Sequence, residues 1–265
     1  MEHRFKARSR TSDAATRDEI LYFERMGFAT WPALEVESFE GWELRFADGF
    51  TGRSNSVQAL ESAPGGPAQL IARIAHCERR YRERGLSPRF KLTAAVRPEE
   101  LEQLLAERGY LRLSPTRVQA IELGDTPCPP DPRVCLETRL DPAWIEATTR
   151  LNRLTRAAVS TWRAIVERIE RPLFASIGIG AGTEAVGLGA LQQDWLFLGA
   201  IATAQSARGR GNATALVRAL LAGAQQSGAR GGWLQVTEDN RAGLALYARL
   251  GFQDVYGYWY RALAP

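Results

Sequence analysis

The run Arg208-Gly209-Arg210-Gly211-Asn212-Ala213 combines two features that bind phosphate. A glycine-rich turn leaves main-chain N–H groups without partners, and a helix opening behind it adds the positive end of its dipole. Arg208 and Arg210 add charge in the residue type best suited to paired phosphate contacts. The turn follows an apolar, strand-like run, Trp195 to Thr203. Behind it, Ala213, Leu216, Val217, Leu220, Leu221 and Ala224 recur at intervals of three and four, the period of an amphipathic helix. A flexible turn, or an Arg-Gly element that touches RNA, is the bland reading of the same string. The setting between a strand and a helix favours phosphate.

The elements around this turn alternate. Val134–Thr138 reads as a strand, Asp141-Pro142 opens a helix, and a second helix covers Ala158–Ile169. Leu173–Ile179, Ala185–Gln192 and Trp195–Thr203 read as extended. After the amphipathic helix come a strand at Trp233–Thr237, a helix at Asn240–Leu250, and strands at Phe252–Val255 and Tyr258–Ala262. The N-terminal half predicts a helix over Asp18–Met26. A hairpin follows, from Trp42–Phe46 through Asp48-Gly49 to Phe50–Leu60. A helix then runs to Arg84, followed by a strand Phe90–Val96, a helix Pro98–Arg108, and one or two strands over Leu111–Leu123.

The two halves resemble each other. A glycine break, a long helix and a Gly-aromatic pair recur with 43 positions from Gly66 to Gly109 and 40 from Gly211 to Gly251. Such order suggests a tandem repeat. The run from Gly124 to Pro132 holds four prolines and cannot sit in a helix or a central strand. The expected organisation is a flexible tail (1–14), an N-terminal domain (15–124), a linker (125–132) and a C-terminal domain (133–265).

Composition bounds the partners. The chain has 265 residues, 45% hydrophobic, with 34 Lys+Arg against 30 Asp+Glu. A net charge of +4 does not argue for nucleic acid and suits an anionic small ligand. The three cysteines, Cys77, Cys128 and Cys135, have no CxxC spacing, so neither a zinc site nor a disulfide framework is expected. Cys77 and Cys135 read as small core residues. No run approaches the ~18 apolar residues of a membrane span. The polar N-terminus has no apolar signal core. A cytoplasmic protein, monomer or homodimer, is expected.

Downstream of the Arg-Gly turn lie Leu234-x-Val236, Asn240, Leu244-x-Leu246-Tyr247 and Leu250-Gly251-Phe252. Together with Arg-x-x-Gly-x-Ala at 208–213, this series resembles the signatures of the GNAT superfamily, the acyl-CoA-dependent N-acyltransferases. The resemblance covers Val134 to Ala264, and the whole chain is similar to bacterial tandem-GNAT proteins. It implies an α/β fold (an α+β mixed sheet) of two GNAT-like domains, each a mostly antiparallel sheet flanked by helices. The N-terminal copy, without the Arg-x-x-Gly-x-Ala pattern, is expected to be degenerate. Main-chain groups of Ile201, Ala202 and Thr203 would bond the pantetheine arm of acetyl-CoA. The N–H groups of Gly209, Arg210, Gly211, Asn212 and Ala213 would hold its diphosphate, with Arg208 or Arg210 nearby, and Asn240 would contact the arm. Tyr247, by its face an ordinary core tyrosine, would sit beside the thioester sulfur as general acid. Gln205, where proline often stands, and Gly243, where alanine is usual, depart from the pattern.

Acyl transfer to an amine needs a base, because an alkylammonium of pKa about 10.4 is roughly 99.9% protonated at pH 7. Asp194, before the strand leading to the thioester, and Glu238, after the next strand, are the candidates, each also readable as a solvated strand-end carboxylate. Glu184 lies in a Gly-rich hairpin and ranks lower. Arg53 and Asn55 are the candidate substrate contacts, or else the polar face of a half-exposed strand. The expected activity is N-acetyl transfer from acetyl-CoA to a primary amine of a small molecule, or to a protein lysine or N-terminus. A non-catalytic acetyl-CoA-binding module is the alternative.

Overall fold

The computed structural model describes residues 14–61, 65–124, 131–178 and 180–263. In chain order the elements are α1 (Arg17–Thr30), β1 (Glu35–Phe39), β2 (Trp42–Phe46), β3 (Val57–Gln58), α2 (Pro67–Arg82), β4 (Arg89–Leu92), α3 (Leu101–Glu107) and β5 (Leu111–Glu122). They continue as β6 (Val134–Glu137), α4 (Pro142–Leu151), α5 (Arg156–Val166), β7 (Pro172–Ile177), β8 (Ala185–Gln192) and β9 (Trp195–Thr203). The last are α6 (Asn212–Gln226), β10 (Gly231–Thr237), α7 (Arg241–Arg249) and β11 (Gln253–Ala262). Among the described residues no helix is long and apolar enough to cross a membrane.

The chain divides into two compact units. One holds Thr16–Arg117 together with the chain from Tyr256 onward. The other holds Val118–Val255. The proline run marked as a linker falls largely on residues 125–130, and the expected tail on 1–13, both outside the described residues. Contacts divide within β5, and β11 contributes residues to both units.

In the first unit the strand order is β1-β2-β3-β4-β11, antiparallel except for β3 beside β4. α1 starts with a capping box, in which the Thr16 hydroxyl accepts from the Glu19 N–H and Glu19 accepts from the Thr16 N–H. The tight hairpin is β1–β2, whose turn residues Glu40 and Gly41 both have positive φ, 46° and 82°. The expected return strand Phe50–Leu60 shrinks to two residues, because Thr51, Ser54, Asn55 and Ser56 hydrogen-bond main chain or one another in the 47–56 loop. The core joins Trp42, Leu44, Ile74, Tyr81, Phe90, Leu92 and Tyr110. Cys77 is buried in it, and burial pushes its thiol up to about 12.

The second unit orders its strands β5-β10-β9-β8-β7-β6. β6 to β9 run antiparallel, and β9 and β10 run parallel, with α6 as the crossover. The apolar stripe of α6 packs Leu216, Val217, Leu220 and Leu221 against Leu173, Leu196, Leu198 and Leu234. Cys135 is exposed on β6 rather than in the core, because the alternation of that strand turns Val134 and Leu136 inward instead. Both units contain an antiparallel strand pair followed by a helical crossover to a parallel strand: β2-β3-α2-β4 in the first, β8-β9-α6-β10 in the second.

Candidate active site

β9 changes partners along its length. Its ladder with β10 pairs Trp195–Leu198 with Gly231–Leu234 and then ends. Residues 199–203 remain paired with β8 alone. A bulge falls at this point: Ala200 has φ of 51°, and the register with β8 slips between Val186 and Leu188. Gly187, opposite the bulge, has no room for a side chain, since a Cβ there would lie 2.7 Å from the Ile201 Cδ1. Burial falls from complete at Trp195–Leu198 to partial at Gly199–Thr203. The β10-facing main-chain edge of Ile201, Ala202 and Thr203 is therefore open to an extended ligand, which would bond it as an added strand.

The chain then turns into α6. Gly209 and Gly211 both have φ of 77°, the left-handed conformation that favours glycine, and a Cβ on either would meet nothing within 4 Å. Among the described residues no acceptor bonds the N–H groups of Gly209, Arg210, Gly211, Asn212, Ala213 or Thr214. Six consecutive donors at a helix N-terminus are an arrangement that favours an anion. Asn212, the first helical residue, is 2% exposed. Its Nδ2 donates to Glu184 Oε2 at 3.0 Å, and its Oδ1 accepts from Arg133 Nη1 at 3.2 Å. Arg210 Nη1 reaches Glu184 Oε1 at 3.4 Å. Glu184 and Arg133, the residues just before β8 and β6, thus brace the turn. No short-range signal in the sequence links positions 133, 184 and 212.

Asn240 caps α7, its Oδ1 accepting from the Gly243 N–H at 2.9 Å. A Cβ at Gly243 would lie 2.7 Å from Asn240 Nδ2, which explains glycine at a position expected to be alanine. Tyr247 is half-buried and packs with Ile201 against the same apolar cluster. Its ring meets Phe252 edge-on at 5.7 Å. Burial pushes its phenol up to about 12.

The model of the family described as "Probable histone acetyltransferase Rv0428c C-terminal" matches residues 18–261. The chain belongs to this family. It is a member of the GNAT superfamily. Among curated proteins it is 28% identical to the uncharacterized N-acetyltransferase YobR of Bacillus subtilis, over 92% of this chain and 98% of that protein. A GCN5-related N-acetyltransferase from Kribbella flavida shares its fold at a TM-score of 0.66, with 15% identity over 91% of this chain and 95% of that one. A tandem GNAT protein from the clavulanic acid biosynthesis pathway matches at 0.60, with 16% identity over 91% and 88%.

The other candidate residues separate on the GNAT fold. Asp194 lies before β9, at the end opposite Ile201, roughly 20 Å of strand away at about 3.3 Å per residue. It is also ion-paired with Arg230, so it does not reach the open edge and is set aside as a base. Glu238 is exposed just beyond the C-terminal end of β10, the end that has left β9. Asn55 is buried and saturated: its Nδ2 serves the Ala47, Phe50 and Thr51 carbonyls, and its Oδ1 accepts from the Ala47 and Gly49 N–H groups. It ties a loop and keeps no capacity for substrate. Arg53 lies with its guanidinium 4.5 Å from the Trp31 ring centroid. Desolvation by burial lowers its pKa, against the attraction of Tyr258 and Tyr260.

Proposed function

We propose that this GNAT protein uses acetyl-CoA to acetylate a primary amine, most simply of a small molecule, with protein lysine or N-terminus as the other acceptor class. The single observation that carries the reading is the run of six N–H groups at 209–214 that no acceptor among the described residues bonds, next to the open edge of β9. Bound acetyl-CoA would supply an activated acyl thioester. The N–H groups of Gly209 to Ala213, with Arg208 and Arg210 beside them, would hold its diphosphate. Ile201, Ala202 and Thr203 would fix the arm by main-chain bonds, and Asn240 would contact it. Preorganised donors of this kind act without reorganising during the reaction.

The proton movements remain. Glu238, directly or through water, takes the proton of the acceptor ammonium and leaves a neutral amine to attack. As the adduct collapses, Tyr247 donates its proton to the departing sulfur and regains one from the ammonium nitrogen of the adduct, which becomes the amide. Its elevated pKa keeps the phenol protonated at every working pH.

The first unit is read as a second GNAT copy without a nucleotide site. Three of its own features support this. Where β3 leaves β4, the Ala59 carbonyl already accepts from the Arg97 N–H at 2.8 Å, in place of an added strand. Pro67, the first residue of α2, has no N–H. The Gly66 N–H donates to Gln69 Oε1 at 3.0 Å.

The decisive experiment pairs calorimetry with coenzyme A and a thiol-release assay across amino acids, polyamines, aminoglycosides and lysine peptides. Binding with amine-dependent thiol release is expected. Binding without release for any amine would favour a non-catalytic acetyl-CoA-binding module, and no heat of binding would overturn the reading.

A further inference from the structure

We propose that the first unit binds a small amphipathic cation in the hollow between the N-terminal turn of α2 and α3. The hollow measures about 350 Å³, within the range of small-molecule pockets. It occupies the place in this unit where the second unit has its diphosphate turn: beside the helix after a glycine break and the helix after the next strand. The chemistry differs. With Pro67 lacking an N–H and the Gly66 N–H bonded to Gln69, the phosphate donors are gone.

Apolar side chains line the hollow instead. Pro67, Leu70, Ile71 and Leu104 contribute, and Ile71 is 43% exposed on this face. A single exposed isoleucine is ordinary, but one that shares a concave lining with three other apolar side chains marks a ligand surface. The charge is one-sided. Arg73 is 4% exposed and ion-paired with Glu40 at 2.5 Å. Glu100 and Glu107 are exposed at the rim on the α3 side, and Glu107 Oε1 accepts from Gln103 Nε2 at 2.8 Å. An entering ligand therefore meets an apolar floor and two carboxylates. An aryl or alkyl body carrying one ammonium group satisfies both, and an anionic nucleotide satisfies neither. This site does not depend on what the second unit binds.

Three probes with one skeleton test it: 4-phenylbutylammonium, 4-phenylbutanol and 4-phenylbutanoate, titrated into the ¹⁵N-labelled full chain and followed by NMR. The ammonium should give saturable shifts at Ile71, Gln103, Leu104 and Glu107, and bind at least fivefold tighter than the alcohol. The butanoate should bind most weakly. The double variant Glu100→Gln/Glu107→Gln should abolish the preference for the cation and leave the alcohol unchanged. Gln103→Trp, an exposed substitution at the mouth, should block all three probes while the rest of the spectrum stays native. Equal binding of the three probes, shifts confined to other residues, or no saturable shift would overturn the proposal.

Discussion

Ala213→Pro would delete one of the six N–H donors of the turn while leaving the others in place. Ala213 is the second residue of α6 and is half-buried. Proline is tolerated in the first turn of a helix, where the lost N–H has no intrahelical partner. The fold penalty comes from Asn212, whose helical conformation a following proline disfavours. About 1 kcal/mol of destabilisation, a fall of roughly 2–4 °C in Tm, is expected. The binding penalty is larger. A hydrogen bond to a charged acceptor contributes about 1.5–3 kcal/mol, so the Kd for coenzyme A should rise about 10- to 150-fold. Calorimetry with coenzyme A measures this, and circular dichroism checks the fold. Ala213→Ser keeps the N–H and should bind like the parent. A folded Ala213→Pro protein with parental affinity would refute the role of the donors. So would equal weakening by serine, since the effect would then be steric. The chain carries a natural version of this change in Pro67 at the start of α2.

Further outcomes follow from the geometry. Tyr247→Phe should lower kcat about 100-fold in the thiol-release assay with coenzyme A affinity within threefold of the parent, and full activity would remove the tyrosine as acid. With its phenol pushed up to about 12, Tyr247 should also add no falling limb to the pH–rate profile below about pH 11. Lys91→Met would strand the carboxylate of Glu24, which is buried and bonded at 2.6 and 2.7 Å to the ammonium and at 2.6 Å to the Tyr256 hydroxyl. A loss of about 3–5 kcal/mol by denaturant unfolding is expected, and a smaller loss for Glu24→Leu/Lys91→Met. Hydrogen bonds from Arg80, reinforced by Arg84, hold Glu37 at about 2, below its ordinary 4.5, despite partial burial. Its stabilisation is fully present above about pH 4.5 and is lost as pH falls through 2. The shift corresponds to about 3 kcal/mol. Solvent screening reduces the expected effect of Glu37→Gln at pH 7 to about 1 kcal/mol, and the difference from the parent should vanish near pH 2 in urea melts.

The second unit was legible because its signals are local. The α6 stripe repeats at helical period, and glycines stand where the turn needs positive φ. The extended run Trp195–Thr203 coincides with β9. What escaped depends on residues distant in sequence. Periodicity cannot show that β9 loses β10 after Leu198, nor that Asp194 is held by Arg230, so neither the open edge nor that ion pair left a mark in the sequence. Asn55 read as a polar strand face because side-chain bonds to main chain leave no mark on hydrophobic patterning. The brace of Glu184 and Arg133 on Asn212 joins three positions spread over 79 residues. The pairing of β2 with β3 across Asp48-Gly49 was legible, though it spans only two register pairs, whereas the tight turn at Glu40-Gly41 that pairs β1 with β2 was not read.

β4 takes its antiparallel neighbour from Trp259–Ala262, which is synthesised long after it. Leu92 and Trp259 are register partners separated by 167 positions. At a ribosomal pace of about 5–20 residues per second, an emerging β4 waits roughly ten to thirty seconds for that neighbour. Meanwhile its flank of N–H and C=O groups is exposed to any other extended chain. Premature termination anywhere between Leu92 and Trp259 would therefore leave β4 without that neighbour and disable a unit whose other strands had already been made.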